Sequence, residues 1–106
     1  MDFKINLEQE ILGFNNRPLM FQASEKENRP MTVRDALQMS VITMSNKQDF
    51  KTLSLIYKLV PLLSNESKEL IIETLEEKEV LAEAIRTTET LNVLAKSFLI
   101  VEILKK

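Results

Sequence analysis

Residues 32–44, TVRDALQMSVITM, mark the point at which the chain changes from strand-like to helical patterning. Thr32 and Asp35 have the spacing of a capping box. The threonine hydroxyl can accept from the backbone N–H of the third helical residue, and the aspartate can bond back to Thr32. Beyond this cap, apolar residues recur at helical spacing and predict one buried stripe. They are Val33, Leu37, Val41 and Met44.

On the N-terminal side of this helix the pattern is typical of strands. Residues 3–8, FKINLE, alternate apolar and polar side chains, which predicts a strand with one buried face. Residues 11–21, ILGFNNRPLMF, predict a hairpin, because Asn15 and Asn16 tolerate the left-handed conformation that a tight turn requires. We therefore predict a strand pair within residues 1–22.

Two more helices are predicted on the C-terminal side. Pro61 should end the first of them, because a proline ring clashes with the preceding turn of a continuing helix. We expect its apolar face, made of Phe50, Leu53, Ile56, Tyr57 and Val60, to point into the core. The next helix should begin at a cap on Ser64 or Asn65. Its predicted inward face is Ile71, Leu75, Leu81, Ala82 and Ile85.

The closing segment, residues 91–104, carries two apolar stripes where a surface helix has one. Either it is a central helix covered on both sides, or one stripe meets another chain. In the second case the exposed seam should be Val93, Ile100 and Leu104, with Phe98 and Val101 in the core.

These patterns predict an α+β fold, mostly helical, with an N-terminal β-hairpin followed by about four helices. A chain of 106 residues with 44% hydrophobic composition is expected to form one small domain. We assign residues 1–22 to the strand pair, residues 23–31 to a polar loop and residues 32–106 to the helical part.

Composition argues against several classes of function. Histidine and cysteine are absent, which removes the commonest catalytic base, the commonest nucleophile and most transition-metal ligands. A single glycine cannot supply a phosphate-binding loop. A net charge of −2 gives no general attraction to nucleic acid, and no apolar run is long enough to span a membrane. We expect no enzyme activity, metal, cofactor, nucleic-acid partner or membrane association.

Five glutamates follow one another at helical spacing in the predicted third helix. They are Glu66, Glu69, Glu73, Glu76 and Glu83. Few lysines are placed to pair with them across the helix, and like charges four residues apart repel weakly. The glutamates are therefore either a solvated face or a docking strip for a basic partner.

Four stretches carry a resemblance to a known group of proteins. They are FNNRPLMF (residues 14–21), TVRDAL (residues 32–37), LSLIYKL (residues 53–59) and LAKSFLIVEIL (residues 94–104). Their order resembles small proteins encoded by tailed bacteriophages and prophages, a strand pair and polar loop followed by helices. The resemblance implies a phage protein, located in the cytoplasm of a bacterial host cell or in the virion. It assigns no functional residues.

We therefore expect a non-enzymatic phage-type protein that acts through protein–protein contacts. It is either a host-directed binder that inhibits a bacterial enzyme or defence component, or a phage assembly or structural protein that works as a homo-oligomer. The predicted partner-binding residues are Glu69, Glu73, Glu76, Glu83, Val93, Ile100 and Leu104.

Overall fold

The computed structural model describes residues 3–24, 26–44 and 48–105, with the side chains of residues 22–24 excepted. Within these ranges the chain forms four α-helices and two antiparallel two-stranded sheets, which confirms the predicted α+β class. The strands are β1 (Phe3–Asn6), β2 (Met20–Ser24), β3 (Glu27–Pro30) and β4 (Glu69–Ile72). The helices are α1 (Val33–Ile42), α2 (Phe50–Leu59), α3 (Leu75–Thr87) and α4 (Val93–Phe98).

The first strand pairs with a distant part of the chain. β1 lies antiparallel to β4, so that Phe3 faces Ile72 and Asn6 faces Glu69. The buried side chains of β4 are Leu70 and Ile72, which alternate with exposed Glu69 and Ile71. The prediction of helix through residues 69–72 is therefore wrong. A strand forms there instead of a helix, because β1 provides backbone hydrogen-bond partners for β4 and because Leu70 and Ile72 are buried on one face of the pair.

The turn at Asn15 and Asn16 is confirmed. Both residues have a positive φ, 58° and 57°, within the short 3₁₀ turn Phe14–Asn16. The Gly13 N–H donates to the Arg17 carbonyl across the turn at 2.8 Å. The flanking chain makes only an isolated antiparallel bridge between Leu12 and Pro18, not two full strands.

The longer hairpin follows this turn and joins β2 to β3, with Met20 opposite Pro30. Residues 27–30 therefore belong to a strand, and the prediction of a polar loop over residues 23–31 is wrong there. β3 gives no apolar signal of a strand in the sequence, because its first residues are polar and lie in solvent while its backbone pairs with β2.

α1 begins as the sequence predicts. Thr32 is its N-cap, and both halves of the capping box with Asp35 are formed. The whole predicted stripe is buried in the core: Val33, Leu37, Val41 and Met44. The core continues into the buried residues of β1, β4 and α3.

α3 is shorter than predicted, because β4 occupies the residues before it. Thr74 caps α3, and its hydroxyl accepts from the Glu77 N–H at 3.2 Å. Leu81, Ala82 and Ile85 are buried as expected. Ile71 and Leu75, which were predicted to be inward, are exposed.

The closing segment changes its helical register. Asn92 caps α4, which continues as a π-helical turn over Leu99–Ile103, and the Leu104 N–H donates to the Leu99 carbonyl at 2.8 Å. The wider hydrogen-bond pattern rotates the following residues relative to an α-helix. As a result Leu104 is fully buried and Val101 is exposed, so the predicted division into core stripe and seam is wrong at both residues.

Candidate protein-docking site

One face of α2 exposes large apolar side chains. Phe50 and Tyr57 are 86% and 84% exposed, and Leu53 and Val60 are 47% and 48% exposed. Ile42, at the end of α1, is 80% exposed and lies beside Val60 in the wall of a groove. We call these five residues the α2 surface. Of the face predicted to point into the core, Ile56 does pack against it, and the prediction is wrong at the other four residues, which are Phe50, Leu53, Tyr57 and Val60.

α2 is held to the domain by its other side. Leu59 is the one buried residue among the ten that form the helix, and Ile56 is half-buried against the core. Asp49 caps the helix by accepting from the Thr52 N–H at 2.8 Å. Hydrogen bonding to Thr52 lowers the pKa of Asp49 below its ordinary value, so the cap stays ionised and favours the helix N-terminus.

Two lysines of α2 form ion pairs with carboxylates of α3 and of the connection before it. Lys51 Nζ lies 3.1 Å from the Glu76 carboxylate, and Lys58 Nζ lies 3.4 Å from that of Glu77 and 3.6 Å from that of Glu73. The hydrogen bond to buried Glu77 is the main reason that the pKa of Lys58 is raised. Both cations point towards α3, and the face of α2 that carries Phe50 and Tyr57 holds neither of them.

The α2 surface is at the upper end of the size that the largest apolar patch of a monomer ordinarily has. A Phe or Tyr side chain presents about 150–250 Å². With the exposures above, the five side chains present roughly 600 Å² of apolar area, against about 300–600 Å² for the largest patch of a typical monomer. Patches of this size mark interaction surfaces.

A groove adjoins the α2 surface at its C-terminal end. It encloses about 140 Å³ between the end of α1 and the 3₁₀ turn Val60–Leu63. Its walls are almost entirely apolar, and its lining residues are Gln38, Val41, Ile42, Val60, Leu63 and Ser64. Gln38 Nε2 donates to the Leu63 carbonyl at 2.6 Å, which holds the two walls together.

The predicted glutamate strip is not formed. Glu69 lies in β4 and Glu73 in the connection after it, while Glu76 and Glu83 lie in α3, so the four do not share one helix face. Three of them are also paired with cations: Glu73 with Lys58, Glu76 with Lys51, and Glu83 with Arg86. The lysines that pair with Glu73 and Glu76 come from α2 and not from the same helix, which a search across one helix does not find.

The predicted seam on the closing segment is also divided. Val93 is 73% exposed on α4, Ile100 is half-buried against the core, and Leu104 is fully buried. Leu104 cannot contact a partner without unfolding the end of the chain. Partner binding by Val93 and Ile100 stays a prediction.

Two carboxylates are buried in the described part of the chain, and both have internal partners. Asp35 accepts both guanidinium N–H groups of Arg29, at 2.6 and 2.8 Å, and Glu77 faces Lys58. Among the residues that the structure describes, no group of three acidic side chains is placed to hold a metal ion. None of the described helices is long and apolar enough to cross a membrane.

Comparison with known proteins gives no family for this chain. It matches no protein-family model, no curated protein and no solved structure.

A sequence signal for the α2 surface does exist. Six of the ten residues of α2 are apolar, and they occupy more than one helix face: Phe50, Leu53, Leu55, Ile56, Tyr57 and Leu59. The closing segment has the same excess of apolar residues over what one helix face can hold. Applied to α2, it would have predicted that one of the two apolar faces lies outside the core.

Proposed function

We propose that this protein acts without catalysis, by binding another protein through the α2 surface. The observation that carries the proposal is the exposure of Phe50 and Tyr57 on a helix whose charged residues are all drawn to its other side. Large aromatic side chains of this kind are the usual anchors of protein interfaces, because they bury much area at a small cost in conformational entropy.

We further propose the function of a phage-type protein directed at its bacterial host, which inhibits an enzyme or a defence component in the bacterial cytoplasm. The resemblance in residues 32–37 and 53–59 supports the phage class, and the second of these stretches lies within α2. A helix that presents apolar anchors at spacings of three and four residues fits the helix-in-groove mode of recognition.

The second candidate function is phage assembly as a homo-oligomer, in the cytoplasm or within the virion. The observation that favours it is that the apolar arc of α2 with Phe50, Leu53 and Tyr57 carries no charged residue, all residues of this helix being described. Two copies of a charged face would repel each other, whereas two copies of an apolar face would not.

The test is affinity capture from a bacterial lysate with three immobilised forms of the chain. They are the unaltered protein, Leu53→Lys on the α2 surface, and Val93→Lys as a matched control, since Val93 is also an exposed apolar residue on a helix. We expect a specific partner, a host protein or an added untagged copy of this chain, to be retained by the unaltered protein and by Val93→Lys. Leu53→Lys should lose it, because the new charge would be buried without a counter-ion.

Equal retention by all three forms would contradict the proposal. So would loss of the partner by Val93→Lys alone, because the contact would then involve α4. Circular dichroism should show the same helix content in all three forms, because each substituted side chain lies in solvent.

A further inference from the structure

We infer that the occupant of the α2 surface is a second copy of this chain. The two copies form a two-fold symmetric dimer in which the α2 helices pack antiparallel and Phe50 of each enters the groove of the other. The inference rests on the proposed role of the α2 surface as a docking site, and it takes the second candidate function, the homo-oligomer, as the one that this surface serves.

The first step is the spacing of the features along α2. Phe50 and Val60 are ten residues apart, which is about 15 Å along a helix. They lie at equal distances from residue 55. A two-fold axis through that point therefore places Phe50 opposite the partner's Val60, beside the groove of the partner subunit. It also places Leu53 opposite the partner's Tyr57.

The second step is the fit of a ring to the groove. The groove of about 140 Å³ has apolar walls, and an apolar protein cavity of about 150 Å³ is known to hold a benzene ring. Phe50 offers such a ring at 86% exposure, at the opposite end of the same surface. One surface therefore carries both the Phe50 ring and the groove that receives it, as an interface between identical patches requires.

The third step is electrostatic. In a two-fold symmetric interface the same patch meets itself, so a patch that carries charges of one sign opposes dimerisation. The charged residues within α2 are Lys51 and Lys58, and both bond to carboxylates at the α3 side of the helix. The arc from Phe50 through Leu53 and Tyr57 carries none of them, and the interface brings no like charges together.

The fourth step is the area. Specific interfaces begin at about 1,200 Å² in total, which is about 600 Å² from each copy. The α2 surface alone presents roughly that much apolar area. The exposed part of Leu62, which lies in the 3₁₀ turn beside the groove, adds to it. The dimer is therefore specific but lies near the lower limit of size, and its association should depend on concentration.

The test is sedimentation equilibrium of the purified full chain over a range of concentrations, with four variants. Tyr57→Lys should remain monomeric where the unaltered protein is a dimer, and Phe50→Ala should weaken the dimer at least about 30-fold, as loss of an aromatic side chain that fills a pocket of the partner does. Val93→Lys, the matched control outside the α2 surface, should dimerise normally. Val60→Ala should weaken the dimer, and its effect should not add to that of Phe50→Ala, because the two side chains meet across the axis.

Several results would overturn the inference. A monomer at every concentration would do so, as would a dimer that Tyr57→Lys leaves intact or one that Phe50→Ala does not weaken. A monomer that still captures a host protein, with capture lost in Leu53→Lys, would refute the dimer and leave the proposed function standing. Loss of both dimer and capture in Val93→Lys alone would refute both.

Discussion

Replacement of Asp35 by alanine should cost about 3 kcal/mol of folding free energy. Asp35 is a buried carboxylate that accepts two guanidinium N–H groups from Arg29 on β3, together with the backbone N–H and hydroxyl of Thr32, each at 3.1 Å. It therefore ties the β2–β3 hairpin to the start of α1. The substitution removes all four bonds at once.

The magnitude depends on the bonds that Asp35 loses and on how far the side chain of Arg29 can regain water. Breaking a buried ion pair costs about 3–5 kcal/mol when the remaining charge stays buried. The side chain of Arg29 is 38% exposed, so it can regain water and the cost falls below the upper limit. Loss of the capping bonds contributes about 1 kcal/mol of the total. A domain of this size with a stability of about 5–15 kcal/mol should remain folded.

Urea unfolding followed by circular dichroism measures this cost directly. With a dependence on denaturant of about 1–3 kcal/mol per molar, the midpoint should fall by about 1–3 M. Glu27→Ala is the matched control, because Glu27 also lies near Arg29 but is exposed and 4.0 Å away, and it should change stability by less than about 0.5 kcal/mol. Equal, small effects of the two substitutions would refute the argument that Asp35 joins hairpin and helix.

Three further predictions concern stability. Burial raises the pKa of Asp35, but the bonds from Arg29 and Thr32 outweigh it and leave that pKa below its ordinary value. The stability that Asp35 contributes is therefore complete above the ordinary pKa of about 3.9 and is lost as pH falls through the lowered one. Asp35→Asn should accordingly flatten the acid limb of a plot of urea midpoint against pH, and an unchanged limb would count against the ion pair. Leu104→Ala should cost about 2–5 kcal/mol in urea unfolding while Val101→Ala costs under about 0.5 kcal/mol, and the reverse order would contradict the π-helical register. Thr32→Ala should lower the unfolding free energy by about 1 kcal/mol, measured in the same way, and no loss would show that the cap is not formed in solution.

The parts of the fold that follow from the sequence are those decided within a few residues. The capping box at Thr32 and the left-handed pair Asn15–Asn16 are of this kind, because a side chain bonds its own turn or a residue type tolerates a rare conformation. Both are present as predicted.

The parts that do not follow depend on contacts between distant segments. In residues 69–72 three apolar residues follow one glutamate, a short run that periodicity alone does not assign to helix or strand, and pairing with β1, more than sixty residues earlier, decides in favour of a strand. Likewise, the sequence correctly predicts that apolar residues of α2 share one side of the helix. It does not show that the face points outward, because the side on which α2 packs is set by contacts of Ile56 and Leu59 with core residues from distant segments.

The most direct test of the central claim is a distance across the proposed two-fold axis. Ser54 is exposed on α2 beside the apolar face, and the chain has no cysteine, so Ser54→Cys provides a single site for a nitroxide label. Packed helices lie about 8–10 Å apart, and antiparallel α2 helices should therefore bring the two labels within about 25 Å in pulsed electron paramagnetic resonance. That signal should vanish when Tyr57→Lys is added. A signal with no dipolar modulation, at concentrations where the chain sediments as a dimer, would contradict the account.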